Sequence, residues 1–196
     1  PLIDKVIELP LHGETVFEAE FSTEAVPFLA DHRVYGEIVS PGACQMALAL
    51  NAAELSLGGQ GQLRLQDVML PQALVIGSGQ ARTVQAVFNH RSAAAQLDGN
   101  DGAIVSKGFK IVSFAQAQAA NAYATLGEAE PAIITHAAGY ALGVAATSPL
   151  TVDIPAIQQR CTQLVDISKF YADSAAAQIE LGPAFRWVTD AWRSND

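Results

Sequence analysis

AVPFLADHRVYGEIVSPGACQMALAL, residues Ala25 to Leu50, decides how this chain is read. The second half of the stretch opens a run, Pro41 to Leu57, whose polar residues are only Gln45, Asn51, Glu54 and Ser56. Ser40 stands at an N-cap position, and Pro41 suits the first helical position, where a missing N–H costs nothing. Gly58 and Gly59 stop the run. This predicts a helix apolar on nearly all sides, which belongs in a core. The first half is expected to be irregular from Thr23 to Ser40, with Pro27, the Asp31-His32 pair and Gly36 interrupting any period.

Outward from the helix the pattern turns to strands. Val6–Pro10 and Thr15–Phe21 read as a hairpin, with Gly13 supplying the turn. Phe17, Ala19 and Phe21 alternate with Glu18 and Glu20, one face apolar and the other charged. Further strands are expected at Leu63–Leu70, Leu74–Ile76, Thr83–Phe88, Ile104–Phe114 and Ile133–Tyr140. Asp98 to Gly102 reads as a turn rather than a calcium loop, because the rest of that motif is missing. Ala115–Leu126 is Ala- and Gln-rich, an exposed helix or a loose connection. Ala141–Pro155 reads as a linker, Ile157–Val165 and Lys169–Ile179 as helices, and Ala184–Trp192 as a strand with no neighbour left to pair with. A helix set between runs of strands is the pattern of a sheet wrapped around a helix, an α+β fold.

Composition removes several functions. The 196 residues are half hydrophobic, enough for a sizeable core, and carry a net charge of −9 without a basic stripe, so no nucleic-acid surface is expected. No apolar run approaches the roughly 18 residues of a membrane span, and the first residues do not resemble a secretory signal. Cys44 and Cys161 lie far apart and read as reduced thiols of a cytoplasmic protein. No histidines stand at metal spacing, there is no phosphate-binding glycine loop, and no metal or cofactor is expected. His12 reads as a solvated turn residue and His90 as a loop residue.

His32 is the candidate for chemistry. It precedes a helix N-terminus, where free backbone N–H groups bind a carbonyl oxygen or oxyanion well. A histidine in this place has two readings: a base, or a side chain that hydrogen-bonds a carbonyl and orders the loop. Gly36 allows a positive φ or a close backbone approach.

The spacing His32-x-x-x-Gly36-x-x-x-x-Pro41 resembles the HxxxGxxxxP motif of dehydratase domains in modular polyketide synthases. PLIDKVIELP and ETVFEAEFS resemble the family's opening strands, and LQDVMLPQALVI its segment after the central helix. IITHAAG resembles its WxxHAxG strand, with Ile133 in place of Trp, and there His136 matches a histidine that is not catalytic. FYADSAAAQIELGPAFRWVTDAWR resembles the FY…GxxYGPxF segment, with Leu181 where Tyr is usual. The resemblance implies a double hotdog, two sheets each wrapped around a long helix. Residues 1–140 would be the first hotdog, 141–167 a linker and 168–196 the start of the second, cut short.

By the same resemblance, His32 is the catalytic base and Val34, Tyr35, Gly36, Pro41 and Gly42 line the substrate tunnel. The substrate is a β-hydroxyacyl group on the phosphopantetheine arm of an acyl carrier protein. Neighbouring synthase domains and a second copy of the chain are the other implied partners. The family's LPFxW and DxxxQ or DxxxH elements have no match, and none of Asp153, Asp166, Asp173 or Asp190 stands in such a motif, so the catalytic acid is expected outside these residues. Two alternatives remain open: a degenerate scaffold that only docks a carrier protein, and an enoyl isomerase, which needs the histidine but not the acid.

Overall fold

Strand alternation and one apolar helix build nearly all of the structure. A computed structural model describes residues 2–59, 62–92, 103–114, 132–145 and 151–194. The strands β1 (Lys5–Leu9) and β2 (Glu14–Phe21) form a hairpin turned by Gly13, whose φ of 65° favours glycine. Two short strands, β3 (His32–Val34) and β4 (Glu37–Val39), precede helix α1 (Gly42–Leu57). After it come β5 (Gln62–Met69), β6 (Val75–Ile76), β7 (Arg82–Ser92), β8 (Ala103–Phe114) and β9 (Ile133–Val144). The order β1-β2-β7-β8-β9-β5 makes one six-stranded antiparallel sheet.

This sheet carries α1 on one face. Phe17, Ala19 and Phe21 of β2 are buried, as the alternation predicts, and so are Val84, Ala86 and Phe88 of β7 and Phe109 and Ile111 of β8. They pack in one core with Leu48, Ala49, Ala52 and Ala53 of α1. The alanines let the helix lie close to the strands, and Phe17, Phe88 and Phe109 fill the space beside them. Phe88 meets Phe17 edge-on and stacks on Phe109, each pair with centroids 5.7 Å apart. Such pairs contribute about 0.5–1.5 kcal/mol beyond the area they bury. The helix is not buried on every side: Asn51, Glu54 and Leu55 lie exposed on its outer face. Leu55 is the apolar residue there that made the sequence read as fully buried.

Beyond the main sheet lie α2 (Ile154–Arg160), β10 (Gln163–Leu164), α3 (Ile167–Ala176), β11 (Ile179–Leu181) and β12 (Trp192–Arg193). Asp153 and Asp166 cap α2 and α3 by accepting the N–H groups of Ala156 and Lys169. A second sheet runs β11-β3-β4-β6, and β10 pairs with β12.

Several expectations are corrected. The segment Thr23–Ser40 is not irregular throughout, because it folds into a 3-10 turn at Pro27–Asp31 and the β3–β4 hairpin. Its strands are three residues long, too short for alternation to show. Ala184–Trp192 is not a strand: Pro183–Phe185 forms a 3-10 turn after Gly182, and only Trp192 joins a ladder, against Leu164. The strand β9 continues to Val144, so Ala141 to Val144 pair with β5 and β8 instead of linking. The strand β7 runs through Ser92, which puts His90 in a strand. α2 stops at Arg160, and α3 begins two residues before the expected start. Asp98–Gly102 and Ala115–Leu126 lie outside the described residues.

Candidate active site

The β3–β4 hairpin places His32. Its two-residue turn is Tyr35 (φ 51°) and Gly36 (φ 79°), the left-handed pair that matches the twist of the flanking strands. Gly36 takes that conformation without strain, as expected. Tyr35 stands at the tip of the turn, 76% exposed. Arg33 braces the turn, its Nη1 donating to the Gly36 carbonyl at 3.0 Å. Val34 pairs with Glu37 in β4 and with Ile179 in β11.

His32 is half-buried, and its Nδ1 lies 2.8 Å from the Val39 carbonyl oxygen. A carbonyl oxygen can only accept, so Nδ1 carries the proton. In the neutral ring this leaves Nε2 with a free lone pair. The histidine thus orders its hairpin and presents a basic nitrogen at once, so the two sequence readings are not exclusive. Phe185, in the Pro183–Phe185 turn, sits against the ring with centroids 5.2 Å apart. Phe28 meets Phe185 edge-on, with centroids 6.1 Å apart.

Beside this unit α1 begins. The residue at its N-cap is Pro41 rather than Ser40, with φ −58° and ψ 145°, and no side chain caps the helix. Ser40 instead donates its backbone N–H to the Leu74 carbonyl at 2.8 Å, continuing the β4–β6 pairing one residue past Val39, and its buried hydroxyl faces the Cys44 thiol. The first N–H groups of α1 are therefore not taken by a cap, as an oxyanion site needs. A Cβ at Gly42 would lie 3.0 Å from the end of the Leu70 side chain, a tight contact that a small shift of this half-exposed residue relieves. Cys44, one turn in, is buried, and burial pushes its thiol pKa up, keeping it protonated.

The other histidines stand apart. His12 is exposed at the β1–β2 turn. His136 is buried in β9, its Nδ1 donating to the Gln72 carbonyl at 3.2 Å and its Nε2 2.8 Å from Ser113 Oγ. Among the described residues no three His, Cys, Asp or Glu side chains gather as they would around a metal ion. No described helix is long and apolar enough to cross a membrane.

Burial lowers the His136 pKa below the ordinary imidazole value, and nearby Arg82 adds to this against its bonds to the Gln72 and Ala73 backbone. The unfolded chain takes up a proton near pH 6.5 that the fold refuses. The stabilisation is complete above that pH and is lost as pH falls through the lowered folded value. His136→Asn should therefore flatten the loss of Tm on acidification below about pH 6.5. An unchanged slope would assign that loss to other groups.

A family model for the polyketide synthase dehydratase domain matches residues 1–99, half of the chain. The chain belongs to the polyketide synthase dehydratase domains. A second dehydratase model, described as an N-terminal domain, matches residues 149–196. Among solved structures, the dehydratase domain of the CurJ module of curacin polyketide synthase is 33% identical with a TM-score of 0.76, over 98% of this chain and 58% of that one. The CurF dehydratase domain, 23% identical, shares the fold with a TM-score of 0.80, over 99% and 62%. Erythronolide synthase EryA2 of Saccharopolyspora erythraea is 29% identical over all of this chain and 5% of its own length. A phenolphthiocerol/phthiocerol polyketide synthase of Mycobacterium tuberculosis is 35% identical over 37% of this chain and 4% of its own. The chain thus spans a twentieth or less of these synthases and about three-fifths of the solved dehydratase chains. The sheet wrapped on α1 is the dehydratase hotdog.

Sequence reasoning missed how Asp31 and Phe185 meet at His32. Both were in plain view, in the Asp31-His32 pair and the Gly182-Pro183-Ala184-Phe185 element, but some 150 residues separate them and only β11 pairing with β3 brings them together.

Proposed function

We propose that this chain supplies the basic half of a hydro-lyase site that converts a β-hydroxyacyl thioester to the α,β-enoyl thioester during polyketide assembly. The observation that carries the reading is the His32 Nδ1–H bond to Val39, two residues before the N-cap of α1, which leaves Nε2 free to take a proton. Nε2 removes the Cα proton of the substrate. The N–H groups at Gly42 polarise the thioester carbonyl as negative charge develops. The electron pair of the Cα–H bond becomes the Cα=Cβ bond, the Cβ–O bond breaks, and the hydroxyl leaves as water with a proton from a general acid. That acid lies outside these residues in our reading, because the one carboxylate next to His32 in sequence, Asp31, is engaged with the Ala184 backbone.

The chemistry asks for no cofactor. The substrate arrives on the phosphopantetheine arm of an acyl carrier protein, in a synthase whose other domains flank this one and which pairs as a homodimer. The first hotdog then runs to the end of β9 at Val144, and 168–196 open the second. The free thiols of Cys44 and Cys161 accord with a cytoplasmic enzyme.

The test presents the intact enzyme containing these residues with β-hydroxyacyl and enoyl thioesters and follows products by mass spectrometry. Loss of water from the hydroxyacyl substrate is the expected result. Double-bond migration without loss of water would assign an isomerase, and no turnover of either would assign a docking scaffold.

A further inference from the structure

The residue before the base has a job of its own. Asp31 closes the 3-10 turn that precedes β3, and it bonds twice to the distant Gly182–Phe185 turn. Its carbonyl accepts the Gly182 N–H at 2.7 Å, and its Oδ2 accepts the Ala184 N–H at 2.8 Å. The fit between the two is close. A Cβ on Gly182 would lie 2.8 Å from Asp31 Cβ and nearer still to its carboxyl group, so only glycine leaves the carboxylate room under the turn. The turn is closed within itself by the Phe185 N–H donating to the Gly182 carbonyl at 2.9 Å. It therefore moves as one piece, and the piece carries the Phe185 ring that lies against His32.

Two things orient the His32 imidazole: the Val39 carbonyl at Nδ1, and the Phe185 ring at its side. The first leaves rotation about the side chain partly open, since one hydrogen bond fixes one atom. The second limits that rotation, but only while the turn stays in place. We infer that Asp31 is a positioning residue for His32: by clamping the Gly182–Phe185 turn it holds Phe185 against the imidazole and so aims Nε2 at the substrate. Asp31 touches neither substrate nor reacting atoms in this scheme. A charge is not required for it, because both bonds need only an oxygen acceptor.

The inference rests on His32 acting as the base, and the test separates the two. In the intact enzyme, Asp31→Ala removes the carboxylate clamp, while Asp31→Asn keeps an acceptor oxygen. For the alanine variant kcat should fall about 10- to 100-fold with KM little changed, the size of effect that misaiming a catalytic group produces. The asparagine variant should recover most of the rate.

A second readout does not depend on turnover. Carbethoxylation of histidines by diethylpyrocarbonate, followed peptide by peptide, should speed up severalfold at His32 in Asp31→Ala and stay at the wild-type rate at buried His136. Phe185→Leu should reproduce the faster labelling of His32. Wild-type rates of turnover and labelling in Asp31→Ala would overturn the inference. So would faster labelling of His32 and His136 together, which marks general loosening, or an asparagine variant no better than alanine. Should the wild-type enzyme dehydrate nothing, the His32 reading falls, and the labelling pattern still decides whether Asp31 holds Phe185 on the ring.

Discussion

Replacing His32 with alanine in the intact enzyme should abolish dehydration of a β-hydroxyacyl thioester, a loss of about 10²–10⁴-fold or more. In the proposed mechanism Nε2 is the proton acceptor, and alanine removes the whole imidazole. The fold should survive. His32 is half-buried at the start of a three-residue strand, and its side chain contributes one hydrogen bond, worth about 0.5–1.5 kcal/mol. The core of α1 and the six-stranded sheet does not include it. Steady-state kinetics with a matched Tm measurement checks both halves. Turnover near the wild-type rate would remove His32 from the mechanism, and a collapse of Tm would make it a structural residue first.

A second large effect concerns residues 1–196 taken alone. They should form no enoyl thioester, whereas an intact dehydratase domain that contains them should. In the proposed mechanism these residues supply the base and the acid comes from outside them, and loss of one member of such a pair costs about 10²–10⁴-fold. In the same C-terminal segment Trp187 is 77% exposed and Leu164 70%, with Phe170 and Trp192 close to half exposed. Parallel expression of the two lengths, assayed on one thioester, settles it. Efficient dehydration by the 196 residues would mean that a carboxylate within them serves as the acid.

How far the sequence could be read depended on element length. The alternation in Thr15–Phe21 repeats often enough to give β2, and the long apolar run stopped by Gly58 gave α1, each nearly residue for residue. β3, β4 and β11 are three residues each, too short to repeat anything, and they are the strands that build the site. Their positions follow from long-range pairing, which periodicity does not report. Ala184–Trp192 misled through its aromatic residues, which resemble a strand's until Gly182-Pro183 bends the chain. His32 itself was legible, since its motif spacing encodes the hairpin turn at Gly36 and the helix start after Pro41. The tautomer that makes it a base was not, because that depends on where the Val39 carbonyl points.

The strand order β1-β2-β7-β8-β9-β5 also sets a schedule for synthesis. β5 is made directly after α1, yet its only ladder partner in the sheet is β9, whose last residue, Val144, leaves the ribosome about 75 residues after Met69. At about 5–20 residues per second, β5 waits roughly 4–15 s with its backbone unpaired. During that interval β7 and β8 emerge and can join β2 over α1, while β5 and its Leu63 still lack the β9 ladder. A chaperone that shields nascent chains would meet this domain with that edge open, and codons that slow translation between β5 and β9 would lengthen the encounter.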